Sequence, residues 1–318
     1  MFKYLVILFL SSVAKAAPLG TIPQVQEGPA RLEIEYLTDL WTEPNENKEN
    51  PVRLYNLNLK MPIVASEKWT ASFQGELEGY DLGRPDITIG DDNVRVGSDL
   101  RAQSLGFGMS YHPGDGQWLN YFGSYRSASD EPYMNSRDTW VEHSLFYALK
   151  PRGAYQWVTG FNFSQNRGYW NGQVLPLLGV SYKPYPQMAI VMGFPFFYVD
   201  MDIKNYIRAQ VTLTPVGLNT EFSHKINDVL SARFRAGLAT RSYLHHNRIE
   251  DEKRFFVNSK YVDISFRRAL SQKTQYGLAL GYSFGREFYE GEQAFRPQGH
   301  RSTIGPDLTG GFVMEILL

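Results

Sequence analysis

Apolar and polar residues alternate one by one along most of the chain after residue 30. Leu32, Ile34 and Tyr36 alternate with charged residues, and the same period of two recurs at 69–78, 230–238 and 276–285. Such alternation predicts strands with one apolar and one polar face, whereas an amphipathic helix would repeat every three to four residues. No segment shows a convincing helical repeat. The pattern therefore predicts an all-β fold.

The segments that connect the predicted strands alternate between short and long. The short connections are 65–68, 112–117, 150–153, 184–187, 202–205, 225–228 and 270–273. The longer, more polar connections are 42–51, 81–99, 127–138, 165–173, 245–254 and 290–306. Outer-membrane barrels have short periplasmic turns at one end and longer extracellular loops at the other. We therefore predict an antiparallel up-and-down transmembrane β-barrel over residues 30–318, with both ends of the barrel segment in the periplasm.

The strand number depends on two tracts, 188–201 and 206–224, each of which fits one strand or a tight hairpin. In the second tract the apolar residues lie at odd positions before Pro215 and at even positions after Gly217. This change indicates a turn or a bulge at Thr214-Pro-Val-Gly217. Two hairpins give about 16 strands and two single strands give about 14; both numbers are even, as in bacterial single-chain barrels. We favour about 16, although the resulting strands are shorter than the ~9–11 residues that usually span a membrane.

The first residues predict export. A cationic start and the apolar run 4–10 precede Ala14-Lys-Ala16, which has the small-x-small pattern of a signal-peptide cleavage site. We predict a signal peptide at 1–16, a periplasmic linker at 17–29 and a location in the bacterial outer membrane. The chain has no cysteine, which excludes disulfides and thiolate metal sites. Its net charge of -1 gives no reason to expect a nucleic-acid partner, and no cofactor is predicted.

The last strand is predicted from Phe312, Met314, Ile316 and Leu318, which form an apolar face that runs to the last residue. This pattern resembles the C-terminal strand signal that the outer-membrane assembly machinery recognises, although the usual last residue is Phe and here it is Leu318. We expect this machinery and outer-membrane lipid, including lipopolysaccharide, as partners. The oligomeric state stays open.

A second resemblance rests on the segment Leu175-Pro-Leu-Leu-Gly-Val-Ser-Tyr-Lys-Pro184, followed by Gly193-Phe-Pro195. It resembles an uncharacterised bacterial outer-membrane β-barrel family of unknown function, mainly over the second half of the chain. The resemblance implies a barrel in a membrane. Because the family has no assigned activity, it implies no functional residues.

Aromatic residues make up 14% of the chain and occur beside the predicted connections. Trp69, Trp118, Tyr155 and Trp157 follow short turns, and Trp41 and Trp140 adjoin longer loops. Trp and Tyr concentrate at membrane interfaces because their rings are apolar with a polar tip. The positions predict aromatic girdles at the two ends of the barrel.

If the apolar face of each strand meets lipid, the opposite face lines the lumen. The charged residues on that face are Glu33, Glu35, Lys60, Glu76, Glu78, Arg208, Arg233, Arg235 and Arg241. The acids come early and the arginines late, so closure of the barrel would set them across the interior. Two interpretations stay open: a charged constriction that selects permeating solutes, or a salt-bridged, plugged interior. About 16 strands would favour the channel.

Two loops carry candidate metal ligands. The loop 81–99 holds Asp86, Asp91 and Asp92, whose oxygens could bind Ca²⁺ although their spacing does not match an EF-hand. A solvated acidic loop that faces lipopolysaccharide is the alternative. His245 and His246 adjoin carboxylates, but neighbouring residues on an extended chain point to opposite faces.

The predicted function is a passive pore or solute channel with a charged lumen. One alternative is a structural or surface-recognition barrel with a closed lumen. The other is an outer-membrane lipid-modifying or hydrolytic enzyme built from residues distant in sequence. No serine–histidine–acid constellation is recognisable around the 6 histidines, so no enzyme is predicted.

Overall fold

The computed structural model describes residues 29–40, 51–90, 94–204, 206–246 and 248–318, without the side chains at 84–86 and 94. The predicted signal peptide, 1–16, and all but the last residue of the predicted linker, 17–29, lie outside these ranges. Among the described residues, no helix has the length and apolar composition needed to cross a membrane.

Strands account for most of the described chain. They are β1 Arg31–Asp39, β2 Arg53–Ala65, β3 Trp69–Ile89, β4 Val94–Gly114, β5 Gln117–Ser129, β6 Thr139–Ala148, β7 Tyr155–Ser164, β8 Val174–Tyr185, β9 Met188–Phe194, β10 Phe197–Lys204, β11 Ile207–Thr214, β12 Gly217–Lys225, β13 Leu230–Tyr243, β14 Arg254–Ala269, β15 Thr274–Gln293, β16 Arg296–Ile304 and β17 Asp307–Leu317. A turn of 3₁₀ helix, Ser136–Asp138, precedes β6. Consecutive strands from β1 to β16 pair antiparallel, and β1 pairs with both β2 and β17, so the sheet closes into a barrel.

The barrel has sixteen strand positions around its circumference. The first half of β15 pairs with β17 and its second half with β16, so β16 and β17 occupy one position in succession. The predicted antiparallel up-and-down barrel of about 16 strands is confirmed. The 14-strand alternative is wrong, because both ambiguous tracts are hairpins, β9–β10 and β11–β12.

The seven predicted short turns all lie at the end of the barrel where β1 begins and β17 ends. We call this the turn end, and the opposite end the loop end. At the loop end, residues 195–196 and 215–216 make tight turns between strands of only 7 to 9 residues. Elsewhere β3 and β4 have 21 residues each and β15 has 20. The wall is therefore low at β9–β12 and tall at β3–β4 and β13–β16.

Two of the predicted long loops are in fact strand extensions. Residues 81–99 belong mostly to β3 and β4, and residues 290–306 mostly to β15 and β16. Ile87, Ile89 and Val96 are 0–1% exposed, so these extensions pack against other segments instead of lying in solvent. The aspartates and glycines around them hid a short alternation, Ile87-Thr-Ile89, that fits a strand.

The outward face of the barrel is apolar between its two ends. Leu278 and Leu280 on β15 are 69% and 54% exposed, and Phe266, Leu105 and Leu178 on three other strands are 51–58% exposed. Along each strand such residues alternate with buried or half-buried inward residues. A continuous belt of this kind is the surface that hydrocarbon, and not water, accommodates.

The aromatic girdles are formed in part. Trp69, Tyr155 and Trp157 are 44–52% exposed on the outward face near the turn end. Trp140 is 6% exposed and packs in an interior core, and Trp118 packs against another, so the girdle prediction is wrong for both. Both occupy inward-facing positions in the alternation of their strands. That position, and not the neighbouring connection, determines that they point into the barrel. Trp41 lies outside the described residues.

Candidate functional site: the lumen and its closed mouth

The structure places all nine predicted lumen residues on the inward face. Glu35, Glu78, Arg233, Arg235 and Arg241 are 6–8% exposed. The other four, at 33, 60, 76 and 208, are half-buried. Because these charges are removed from water, each needs an ionic or hydrogen-bonding partner inside the barrel.

The first contact across the lumen joins β13 to β1, four positions away around the ring. Arg235 Nη2 lies 2.6 Å from Glu35 Oε1, and Arg235 Nε lies 2.9 Å from Asp263 Oδ1 on the neighbouring strand β14. One guanidinium thus binds two carboxylates in an environment where ion pairs are screened little.

The second contact across the lumen joins β13 to β3, six positions away. Arg241 Nε donates to Glu78 Oε1 at 3.0 Å, and the Tyr243 hydroxyl donates to the same oxygen at 3.0 Å. The Arg241 guanidinium also stands 5.5 Å from the centre of the Tyr80 ring. We call the Arg235–Glu35 and Arg241–Glu78 contacts the cross-lumen pairs.

The remaining arginines of the predicted set pair with adjacent strands. Arg208 Nη2 lies 2.7 Å from Asp200 Oδ2 on β10, and Arg233 binds Glu221 on β12. The predicted residue Glu76 pairs at 3.1 Å with Arg126 on β5. The partners that sequence reasoning missed are Arg126, Glu142, Asp200, Glu221 and Asp263. Each lies at an inward-facing position in the alternation of its strand, and this alternation could have been used to predict them.

Glu33 lines a small cavity of about 10 Å³ in the turn-end half of the lumen. Glu35, Asn56, Asn58 and Arg267 contribute to the same wall. This cavity has room for about one water molecule.

Opposite walls touch at the loop end. β5 and β13 stand eight positions apart in the ring of sixteen, yet the Leu244 N–H donates to the Ala128 carbonyl at 2.7 Å. From the loops that follow, Arg248 Nη1 donates to Asp138 Oδ1 at 2.9 Å and the His246 N–H to Asp130 Oδ1 at 2.8 Å. We call these the mouth contacts. They join opposite walls across the loop end of the barrel.

An interior apolar core lies beneath these loops, inside the tall part of the wall. Its buried residues are Val52, Tyr80, Leu82, Ile87, Ile89, Val96, Leu100, Ala128, Trp140, Tyr243, Leu244, Phe255, Val257, Phe288 and Ile304. We call it the cap core. It joins the long hairpins of both walls, which explains why 81–89, 94–99, 290–293 and 296–304 are strands.

A second apolar cluster lies on the inward face of β6–β8 and beside the low wall. Its buried residues are Phe146, Ala148, Val158, Tyr169, Leu175, Leu177, Phe196 and Val216. We call it the apolar sector. The lumen is thus divided between a charged side and an apolar side.

The two neighbouring histidines point to different partners. His245 is 0% exposed and its Nε2 lies 3.2 Å from Glu290 Oε1, whereas His246 Nδ1 lies 3.1 Å from Asp138 Oδ2. They do not converge on one ligand position. Among the described residues no group of three or more His, Asp or Glu could hold a metal ion. The candidates Asp91 and Asp92 and the Asp86 side chain lie outside the described part.

One serine and one histidine do meet inside the barrel. Ser110 Oγ lies 2.9 Å from His112 Nε2 and donates its proton to Asn120 Oδ1 at 2.5 Å. The roles at the Ser110–His112 contact depend on the histidine tautomer: when the hydroxyl gives its one proton to Asn120, the imidazole donates to Ser110. That is the opposite of the role of a general base.

No protein-family model matches the chain, and no curated protein matches it. Among solved structures, the toluene transporter TodX of Pseudomonas putida is 8% identical over 96% of this chain and 93% of its own, with a TM-score of 0.41. A bacterial polysaccharide outer-membrane secretin is 11% identical over 92% and 99%, with a TM-score of 0.42. An outer-membrane channel of Pseudomonas putida F1 is 11% identical over 96% and 100%, with a TM-score of 0.38. Similarity at this level identifies neither a solute nor a mechanism.

Proposed function

We propose that the chain is a bacterial outer-membrane channel for small solutes and that the described conformation is its closed state. The observation that carries this proposal is the charged lumen inside a sixteen-position barrel with an apolar outer belt. Barrels of this width have room for a channel. Burying ion pairs is often no more favourable than burying apolar residues of similar volume, so stability alone gives little reason for Arg235 and Arg241 to cross the lumen.

The contacts that close the lumen can separate without opening the sheet. Neighbouring strands are held by continuous backbone ladders. The cross-lumen pairs, in contrast, join side chains. At the mouth, one backbone hydrogen bond among the described residues joins β5 to the end of β13, beside the apolar packing of the cap core. Parting them would connect the loop end to the turn-end half of the lumen. The charges that line this path would then set the preference among solutes.

A second candidate, a closed barrel that presents its loop end to a partner, is favoured by the cap core. The apolar residues of the cap core are almost fully buried, and a solute that crosses the barrel would have to displace or bypass them. Conductance distinguishes the two candidates.

Replacing Glu78 and Arg241 together by glutamine is expected to raise the open probability of single channels about tenfold. The double change removes one cross-lumen pair without leaving a buried charge. A tenfold change corresponds to a loss of ~1.4 kcal/mol of closed-state stabilisation, close to the lower end of the range for hydrogen bonds to charged groups. The measurement is single-channel current in planar bilayers with the refolded mature chain.

The matched control is the double change Arg101→Gln with Asp99→Gln, because this ion pair is 49% and 41% exposed. It should leave the open probability unchanged. A correctly folded wild type and E78Q/R241Q variant that both stay silent would contradict the channel and support the closed barrel.

The predicted partners extend this proposal. β17 presents Leu308 and Phe312 outwards, 47% and 45% exposed, which supports recognition of this strand by the outer-membrane assembly machinery. Lipid and lipopolysaccharide would surround the outward belt.

A further inference from the structure

Arg167 differs from nearly all other buried arginines of the described chain. Arginines 233, 235, 241, 248 and 286 each form a salt bridge to a carboxylate. Arg167 is 2% exposed, and no salt bridge from another described residue reaches it. A buried guanidinium ordinarily requires a counter-charge.

The hydrogen bonds of Arg167 are incomplete as well. Its Nη2 donates to the backbone carbonyls of Asn162 at 3.0 Å and Gln173 at 3.2 Å, while Nε and Nη1 have no hydrogen-bond partner. Arg254, which also lacks a salt bridge, uses both terminal nitrogens on the carbonyls of Glu252 and Gln165. Arg167 therefore keeps two buried nitrogens without an acceptor, and an outside acceptor reaches them only when the neighbouring groups move apart.

The surrounding groups do not neutralise Arg167. The carboxylate of Glu142 attracts it from a distance but is bound to Arg126 at 3.4 Å. The Tyr169 ring centre lies 5.6 Å from the guanidinium carbon, which is a cation–π contact. Burial lowers the pKa of the Arg167 guanidinium, but a guanidinium stays protonated at neutral pH. The site is cationic and desolvated.

The same arginine lies beside the apolar sector. Tyr169, whose ring it covers, belongs to that cluster together with Phe196 and Leu177. On the adjoining inner wall, Gly179 of β8 faces Gly193 of β9 in register, and the Phe196 ring packs over Gly193, with its Cζ 3.2 Å from where a Cβ on Gly193 would lie. A ligand bound to Arg167 would therefore meet hydrocarbon, with the Phe196 ring foremost.

Aromatic residues continue from this sector over the low wall to the outward face. Trp170 is 40% exposed, and its ring lies 5.7 Å from Tyr169 and 6.0 Å from Phe194, which is 51% exposed. Trp170 has φ of 45°, a backbone conformation that bulky residues rarely adopt. The surrounding contacts thus hold this ring at the rim at the cost of backbone strain.

We infer that Arg167 and the apolar sector form a binding site for a carboxylic acid with an apolar tail. The carboxylate accepts hydrogen bonds from Nε and Nη1, and the tail lies against Tyr169 and Phe196. This deepens the proposed channel function by naming a solute class, and it rests on that function for passage across the membrane. Binding itself needs no transport.

The test measures equilibrium binding of octanoate, labelled with ¹³C at its carboxyl carbon, to the folded full-length mature chain in lipid nanodiscs by NMR. The comparison ligand is 1-octanol, which has the same tail and no carboxylate. Empty nanodiscs give the lipid-partitioning background. We expect saturable octanoate binding at least tenfold tighter than octanol binding, and a loss of at least tenfold in Arg167→Gln, because charge-assisted hydrogen bonds of a desolvated pair are lost.

Arg137→Gln is the matched control, since this arginine also lies at the loop end but is 42% exposed and bound to Asp251; it should bind octanoate like the wild type. Equal octanoate and octanol binding in the wild type would overturn the inference without any variant, and so would unchanged binding in folded Arg167→Gln. Conductance without octanoate binding would refute this binding site but not the channel. Octanoate binding without conductance would refute the channel but not the binding site.

Discussion

Replacing Arg235 by alanine is expected to lower the free energy of unfolding by about 3–5 kcal/mol, the cost of breaking a buried ion pair from one side. Arg235 is 7% exposed and binds both Glu35 and Asp263, so its removal leaves two carboxylates buried without their cation. The measurement is urea-dependent unfolding of the barrel in lipid vesicles, followed by tryptophan fluorescence.

Arg101→Ala provides the comparison, because Arg101 pairs with Asp99 at a site where both side chains are more than 40% exposed. Exposed pairs contribute about 0–1 kcal/mol. If the two variants lost the same stability, the buried lumenal network would not have the role that we assign to it.

Replacing Leu278 by arginine is expected to cost about 2–4 kcal/mol, as for a charge near the middle of a bilayer on the lipid face of a barrel. Leu278 is 69% exposed, and its cross-strand partners on the outward face are Phe266 and Phe312, both apolar. In water an exposed leucine-to-arginine change would be nearly neutral, so the size of the loss reports lipid contact. The vesicle unfolding assay measures it.

Leu270→Arg is the matched control, since Leu270 is 64% exposed but lies in the turn between β14 and β15. Near the interface the same change costs about 0–1 kcal/mol. Equal losses at 270 and 278, or no loss at 278, would argue against a membrane belt at this position.

The fold was predictable because two features can be read directly from the local sequence. They are the alternation of apolar and polar residues along each strand and the alternation of short and long connections between strands. The change of phase across Thr214-Pro-Val-Gly217 indicated a turn or a bulge, and the structure has a hairpin there, because a tight turn changes whether odd or even positions face inward. The extensions at 81–99 and 290–306 were not predicted. Their apolar residues are few and separated by aspartates and glycines, and they become a core only when hairpins from several walls meet.

The sequence predicted which of the candidate residues face the lumen, but not which residues contact each other. Alternation placed Glu35, Glu78, Arg235 and Arg241 on the inward face, and early acids did meet late arginines across the lumen. Which residues meet across a barrel depends on strand tilt and curvature, which the period does not encode. Arg167 gave no signal, because it lies in a connection and its importance comes from the absence of a carboxylate near it.

The most direct test of the closed channel is a disulfide across its mouth. The wild-type chain has no cysteine, so Ala128→Cys combined with Leu244→Cys adds one pair at the β5–β13 contact. Single-channel currents would be recorded in planar bilayers under oxidising conditions and again after a reducing agent is added, with wild type alongside. We predict that the oxidised variant is silent, that reduction restores wild-type openings, and that the wild type is insensitive to the reducing agent. Unchanged conductance in a variant whose disulfide is verified would contradict an opening of the mouth, and a wild type that never conducts would contradict the channel itself.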